Sequence, residues 1–429
     1  MKNAFIFYRH KKLPFEIPSQ WKLLTFAQFD EYPSQKDVRK LTKIALKNPI
    51  HAKALKNILS PSDKIAIIVE DLTRASPKRL ILETLLDGLN AVHIPTKHIS
   101  VIMALGTHRG LTPEELESTF GRELISRYTF ANHDCHATDL IPVGRLSSGR
   151  KVRINRKVHE ATFRIGIGSI FPHPMNGFGG GGKILFPGVS DFDAIREHHL
   201  KFTFHEGTGL GKIKGNLFYE QVCAIARSSK LDYVINSVLD PKDQVVDLVA
   251  GDPVQAHLAG IEKSKSIISQ KFPKKSDLTL ITSFPYAEGP QIVKPLAPAS
   301  MVTKEGGCII LAADCERHLP DAFVESFERF HSKYGDNLLE GVLDHFENNR
   351  LIMEEGAIDF NMALAMTLAI QHRFKIILVS KDLSREAGEK MGFVYAEDLQ
   401  EAFDLSATLC PPRPDVHIIP SGGVILPVL

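Results

Sequence analysis

Short aliphatic and β-branched runs alternate with helical stretches along most of this chain, and that alternation leaves few folds open. In the first half the runs are KIAIIVE at 64–70, ISVIMALG at 99–106 and TFRIGIGSI at 162–170. In the second half they are DLTLITS at 277–283, CIILAA at 308–313, KIILVS at 375–380 and VHIIPSGG at 416–423. Each is short, bounded by polar or turn residues, and reads as a buried strand. Between them, Pro77 opens PKRLILETLLDGLNAV with a proline suited to a first helical turn, and Thr112-Pro113-Glu114-Glu115 gives a second start of the same kind. FVESFERFHSKYG and AIDFNMALAMTLAIQHRF read as helices of the second half. Strand and helix in alternation predict an α/β fold whose sheets are mainly parallel.

At 429 residues the chain exceeds what one hydrophobic core usually serves. The polar segment SQKFPKKSD at 269–277 reads as the linker, which predicts an N-terminal α/β domain over 1–272 and a C-terminal one over 273–429. Lys and Arg total 52 against 50 Asp and Glu, a balance that gives no electrostatic footprint for nucleic acid or an anionic membrane. No apolar run is long enough to span a bilayer, and the opening MKNAFIFYRHKK breaks too early for a signal peptide, so a cytoplasmic protein is expected. The five scattered cysteines contain no Cys-x-x-Cys and suggest neither a disulfide framework nor a zinc knuckle.

In open α/β sheets the ligand lies beyond the carboxyl ends of the strands. Four segments in such positions carry unusual chemistry: Asp71-Leu72-Thr73-Arg74, His108 in GTH, the stretch from His173 to Lys183, and Pro285 to Lys294. The third contains Gly177-Phe178-Gly179-Gly180-Gly181-Gly182-Lys183, the spacing of a phosphate loop. Yet Ile184 stands where that motif needs Ser or Thr, and Pro187-Gly188 interrupts the helix that should follow. An ATP-binding enzyme is therefore the runner-up reading. The glycines still allow backbone amides to approach a phosphate or flat ring closely, with Lys183 beside it. His173 and His199 flank the loop, and neutral imidazole serves both as an acid–base and as a nickel ligand. His198, adjacent on a predicted helix, must point elsewhere. Asn132-His133-Asp134-Cys135-His136 looks like a metal cluster, but its residues are too close in sequence to chelate from one regular element, so hydrogen bonding within the fold is expected of it.

Taken in order, Asp71 to Arg74, Gly106-Thr107-His108, Pro172-His173, the loop to Lys183, Phe186-Pro187-Gly188-Val189-Ser190 and His199 resemble the nickel-dependent lactate racemases, over most of the chain. The resemblance implies two α/β domains with the active site in the cleft between them. It also implies a nickel pincer nucleotide, a thiolated nicotinate-derived mononucleotide joined to a lysine as a thioamide and supplied by cofactor-maturation proteins. On this chain Lys183 matches the tethering lysine, His199 the nickel ligand, and His108 and His173 the paired acid–bases. Asp71, Leu72, Thr73 and Arg74 match the cofactor-contacting turn. Arg74, Gln291 and Lys294 match the residues that hold the substrate. The segment Phe284-Pro285-Tyr286-Ala287-Glu288-Gly289-Pro290-Gln291 departs from the family's usual Tyr-Pro-Lys-Asp, and Trp21 is the sole tryptophan. Those departures point to a 2-hydroxy acid other than lactate.

The chemistry so implied is inversion at C2 by hydride transfer. Taking a proton from carbon beside a carboxylate would create a dianion, whereas removing hydride gives a neutral carbonyl, with one histidine on each face handling the hydroxyl proton. A nickel-binding protein without turnover is a third reading of the same residues.

Overall fold

The structure is a computed structural model, and it describes all residues except 1–2, 10, 28–36, 73–75, 317–318 and 355. The chain divides into two compact units, one formed by residues 31–266 and the other by 1–30 together with 267–429.

The core of the 31–266 unit is a six-stranded sheet in the order Val245–Gly251, Tyr233–Leu239, Phe163–Ile170, Ile65–Glu70, Ile99–Ala104, Thr129–Asn132. Every pairing is parallel except that of the first two strands. All six residues of Ile65–Glu70 are buried, the mark of a central strand covered on both faces. The helix Lys78–Ala91 packs its Ile81, Leu82, Leu85, Leu86 and Leu89 into the core with Ile67, Val101 and Ile165 of the strands. Pro77 sits one position earlier than expected, at the N-cap. Thr112 caps the helix Pro113–Phe120 in a reciprocal capping box with Glu115.

The second unit is a fully parallel sheet in the order Val394–Ala396, Lys375–Val379, Thr303–Ala312, Ser276–Thr282, Asp415–Ile419, Lys22–Phe26. The expected division at 272/273 is corrected at both ends. Lys22–Phe26 pairs with Asp415–Ile419 and so belongs to the second sheet, and the pair Asn3–Tyr8 with Lys11–Glu16 falls in the same unit. Ser269–Lys271, read as linker, is a strand paired with Leu426–Val428. Both strands are short and have no fully buried residue, so neither carries the long apolar run that reveals a central strand. Among the described residues no helix is long and apolar enough to cross a membrane.

Candidate active site

In the first sheet the chain moves from Ile65–Glu70 outward through Ile99–Ala104 to Thr129–Asn132, then returns to the other side of Ile65–Glu70 with Phe163–Ile170 and continues away through Tyr233–Leu239. The order reverses between Ile65–Glu70 and Phe163–Ile170, which makes the carboxyl ends of these strands the natural crevice for a ligand. Glu70 bolts that junction, its Oε2 accepting from Ser169 N and Ser169 Oγ, each at 2.9 Å.

Three strands that lie side by side each lead into one of the candidate residues. Asp71 follows Ile65–Glu70, His108 follows Ile99–Ala104, and His173 follows Phe163–Ile170. The Asp71 carboxylate hydrogen-bonds Nδ1 of His108. An ionised carboxylate can only accept, so the imidazole carries its proton on Nδ1 and presents the lone pair of Nε2. His173 is set the opposite way. Its Nδ1 accepts the backbone N–H of Met175 at 3.3 Å and of Asn176 at 3.1 Å, while its Nε2 lies 2.7 Å from the Nζ of Lys183.

The glycine-rich segment turns back in a short antiparallel pairing of Pro172–His173 with Gly177–Phe178 and then enters the 3₁₀ turn Gly181–Ile184. A phosphate loop would open an α-helix there, with the phosphate at its N-terminus. Here the next α-helix begins only at Phe192, and Lys183 is paired with His173. The runner-up ATP-binding reading loses its structural basis.

The loop is fixed from beneath by residues that the sequence reading did not single out. Gly181 N donates to Asn236 Oδ1 at 3.0 Å, His257 Nε2 donates to Gly179 O at 2.7 Å, and Tyr219 Oη donates to His257 Nδ1 at 3.4 Å. His257 is 1% exposed, and burial pushes its imidazole down to about 4, so it is neutral. A signal for Asn236 existed, since YVINSVL places an amide in the middle of an otherwise apolar strand. His257 on the helix Gln255–Ile268 has no such local mark.

His199 lies on the helix Phe192–Phe202, whose N-cap Asp191 accepts from Ala194 N. Its Nδ1 donates to Ile195 O at 2.8 Å, and its ring meets Phe218 edge-on at 4.9 Å. That arrangement fixes the tautomer with the lone pair on Nε2, the state of a metal-ligating histidine braced by a backbone carbonyl. His198 turns away as the helical spacing predicts, with Nε2 donating to Phe218 O at 3.1 Å, and burial holds it well below the ordinary histidine range.

The 132–136 segment clasps the start of this helix. His133 Nε2 donates to Ser190 O at 2.9 Å, Phe192 N donates to Cys135 O at 3.0 Å, and His136 stacks on Phe192. Among the described residues no group of three or more His, Cys, Asp and Glu side chains is assembled to hold a metal ion. Leu72 is largely exposed beside Asp71, and Thr73 and Arg74 lie outside the described residues.

The second sheet has its own reversal, between Ser276–Thr282 and Asp415–Ile419. After Ser276–Thr282 the chain forms the 3₁₀ turn Gly289–Val293, which carries Gln291 and ends at Lys294. Gln291 is buried, and its Oε1 has no hydrogen-bond partner among the described residues. Such a buried amide oxygen costs about 1–3 kcal/mol unless a ligand or water satisfies it. The Lys294 ammonium stands 5.2 Å from the ring centroid of Tyr286, so an aromatic residue of the altered segment lies beside this pair.

Comparison with known proteins agrees with this geometry. The lactate racemase N-terminal domain profile matches residues 8–211 and the C-terminal domain profile matches 285–426. A lactate racemase of Thermoanaerobacterium thermosaccharolyticum is 27% identical over 433 residues, covering 99% of both chains. One from Lactiplantibacillus plantarum is 30% identical over 292 residues, 67% of this chain and 68% of its own. The lactate racemase apoprotein structure from the Thermoanaerobacterium species superposes with a TM-score of 0.88, at 27% identity and full coverage of both chains. A Thermotoga maritima protein shares the fold at a TM-score of 0.66 and 18% identity, covering 93% of this chain and 100% of its own. With both domain profiles matched in order and the strand-end residues assembled at the switch point, the chain belongs to the lactate racemase family.

Proposed function

We propose that the protein is a racemase or epimerase that inverts C2 of a 2-hydroxy acid with a nickel pincer nucleotide joined to Lys183. The observation that carries this reading is the meeting of two differently set histidine pairs, Asp71–His108 and His173–Lys183, at the carboxyl ends of three neighbouring strands. The residues present fit the cofactor. Lys183 offers an amine, the glycines before it allow close approach of a flat ring, and His199 presents Nε2 with its other nitrogen fixed on Ile195 O.

Bound there, the group would supply a hydride-accepting centre, which spares the enzyme a carbanion beside a carboxylate. The protein's own work is positioning and proton transfer. His108, oriented by Asp71, takes the substrate hydroxyl proton at Nε2 on one face, and His173 serves the other face. Asp71 to Arg74 contact the cofactor. Arg74, Gln291 and Lys294 take the substrate, the cations on its carboxylate and Gln291 through its buried amide.

The test is protein made together with cofactor-synthesis genes, examined by intact and peptide mass spectrometry and then assayed with C2-deuterated 2-hydroxy acids. A nickel-containing adduct on Lys183, with deuterium retained through inversion, is expected. An adduct on another lysine, or loss of deuterium to solvent at the rate of inversion, refutes the reading. A Lys183 adduct without turnover of any 2-hydroxy acid instead supports a cofactor-binding protein.

A further inference from the structure

The Lys183–His173 contact has only one consistent assignment of protons. Nδ1 of His173 faces two backbone N–H groups, from Met175 and Asn176, so a proton on that nitrogen would point into two donors. The neutral imidazole must therefore carry its proton on Nε2, which is the atom 2.7 Å from Lys183 Nζ. An ammonium has three donors and no acceptor, and it cannot receive that hydrogen bond. A neutral amine can.

We infer that His173 keeps Lys183 as a neutral amine before any cofactor is attached, which makes Lys183 a nucleophile toward acyl carbon at neutral pH. A lysine whose surroundings disfavour its protonated form is an ordinary amine nucleophile in proteins. The amine has one lone pair, and that lone pair accepts from His173 until an electrophile arrives. Attack then exchanges partners. With a thiocarboxylic acid as electrophile, the C–N bond forms, the C–O bond breaks, and oxygen leaves as water with one proton from the amine and one from the thiol. The product nitrogen is no longer basic, so His173 Nε2 is released at the same moment. Attachment at Lys183 and the availability of His173 for turnover become one event. The last point rests on the proposed role of His173 in racemisation; the neutral amine does not.

The test uses full-length protein produced without cofactor-synthesis genes. Trace acetylation with acetic anhydride across pH 5–11, quantified by peptide mass spectrometry, gives the pH at which each lysine is half reactive, a value independent of how accessible the lysine is. Acetate is the leaving group and carries off the amine proton. Exposed lysines should show midpoints of about 10.4, whereas Lys183 should remain reactive below about pH 8. His173→Phe, which removes the donor, should return the Lys183 midpoint toward that of the other lysines, and His173→Gln, which restores one, should lower it again. Nitrogen-15 NMR of the unsubstituted protein should show an unprotonated Nδ1 on His173. A Lys183 midpoint equal to that of exposed lysines, or no Lys183 acetylation where they react, overturns the inference. The two readings fail separately: a low midpoint with no nickel adduct in matured protein sinks the function alone, and an ordinary midpoint with the adduct present sinks the inference alone.

Discussion

Adding one methyl group at Gly181 tests whether the glycine loop is held rigidly from below. Gly181 adopts φ +58°, and a Cβ built there would lie 2.4 Å from Nδ1 of His257, 2.6 Å from Cγ and 3.0 Å from Cε1. The ring cannot step aside cheaply, because Gly179 O and Tyr219 Oη hold its two nitrogens and it is fully buried. Alanine in the left-handed region costs about 1–2 kcal/mol. Overpacking against an immobile ring adds about 1–3 kcal/mol. The sum, about 2–5 kcal/mol, leaves a domain of ordinary stability folded but weakened. The two contributions separate in a double-mutant cycle. His257→Ala alone should destabilise by stranding the Gly179 carbonyl, about 1–3 kcal/mol. Combined with Gly181→Ala it removes the collision and leaves only the backbone cost, so the double variant should fall short of additivity by about 1–3 kcal/mol. Trp21 belongs to the other unit, so urea unfolding should be read by hydrogen exchange of peptides from residues 31–266. Strict additivity, or a Gly181→Ala effect below about 1 kcal/mol, would refute the brace.

The same histidine makes stability depend on pH. His257 titrates near 4 when folded but near about 6.5 when unfolded, so between those values the unfolded chain binds a proton the folded one excludes. The share of stability that His257 contributes should be constant above pH 6.5, fall by about 3 kcal/mol on the way to pH 4, and flatten below; urea midpoints for His257→Gln should lack that share of the decline. Asp71→Asn replaces an acceptor-only carboxylate with an amide that can also donate to Nδ1, so the His108 tautomer is no longer fixed; with loaded enzyme kcat should drop about 10²–10⁴-fold with KM little changed, whereas a pure rise in KM would assign Asp71 to binding. Gln291→Ala removes a buried amide oxygen that has no partner among the described residues, so it should raise KM for the substrate while leaving folding stability unchanged or improved by about 1 kcal/mol; a large loss of stability would make Gln291 structural. Across lactate, malate, phenyllactate and glycerate, kcat/KM should peak away from lactate, because Tyr286 stands beside Lys294 in a segment that departs from the family pattern.

The central strands and the residues at their carboxyl ends were legible for the same reason. A parallel strand buried on both faces must be continuously apolar, and the residue that ends such a run stands where a ligand binds. That logic located Asp71, His108 and His173, and the helical spacing correctly separated the orientations of His198 and His199. What escaped was support arriving from distant sequence. His257 reaches Gly179 across 78 residues, and a histidine on a helix looks the same whether it braces a loop or faces solvent. The edge strand Lys22–Phe26 escaped because its burial is partial along its length and its partner lies at the opposite end of the chain. The linker reading of 269–277 failed on the same ground, since polar residues suit an exposed edge as well as a connection.

The pairing of Lys22–Phe26 with Asp415–Ile419 dictates an order of assembly. On the ribosome Lys22–Phe26 emerges long before Asp415–Ile419, the strand that receives it. Residues 31–266 can close their own sheet in the meantime, since every strand of it lies within that span. Asn3–Tyr8 and Lys11–Glu16 can pair with each other at once, but Lys22–Phe26 must wait with its backbone groups unpaired. A polypeptide cut after residue 272 would carry Lys22–Phe26 permanently without its acceptor, and an unpaired edge of that kind invites association between molecules. A fragment of 31–266 avoids the problem, and the complementary sheet should recover its sixth strand from a synthetic peptide of residues 1–30 added in trans.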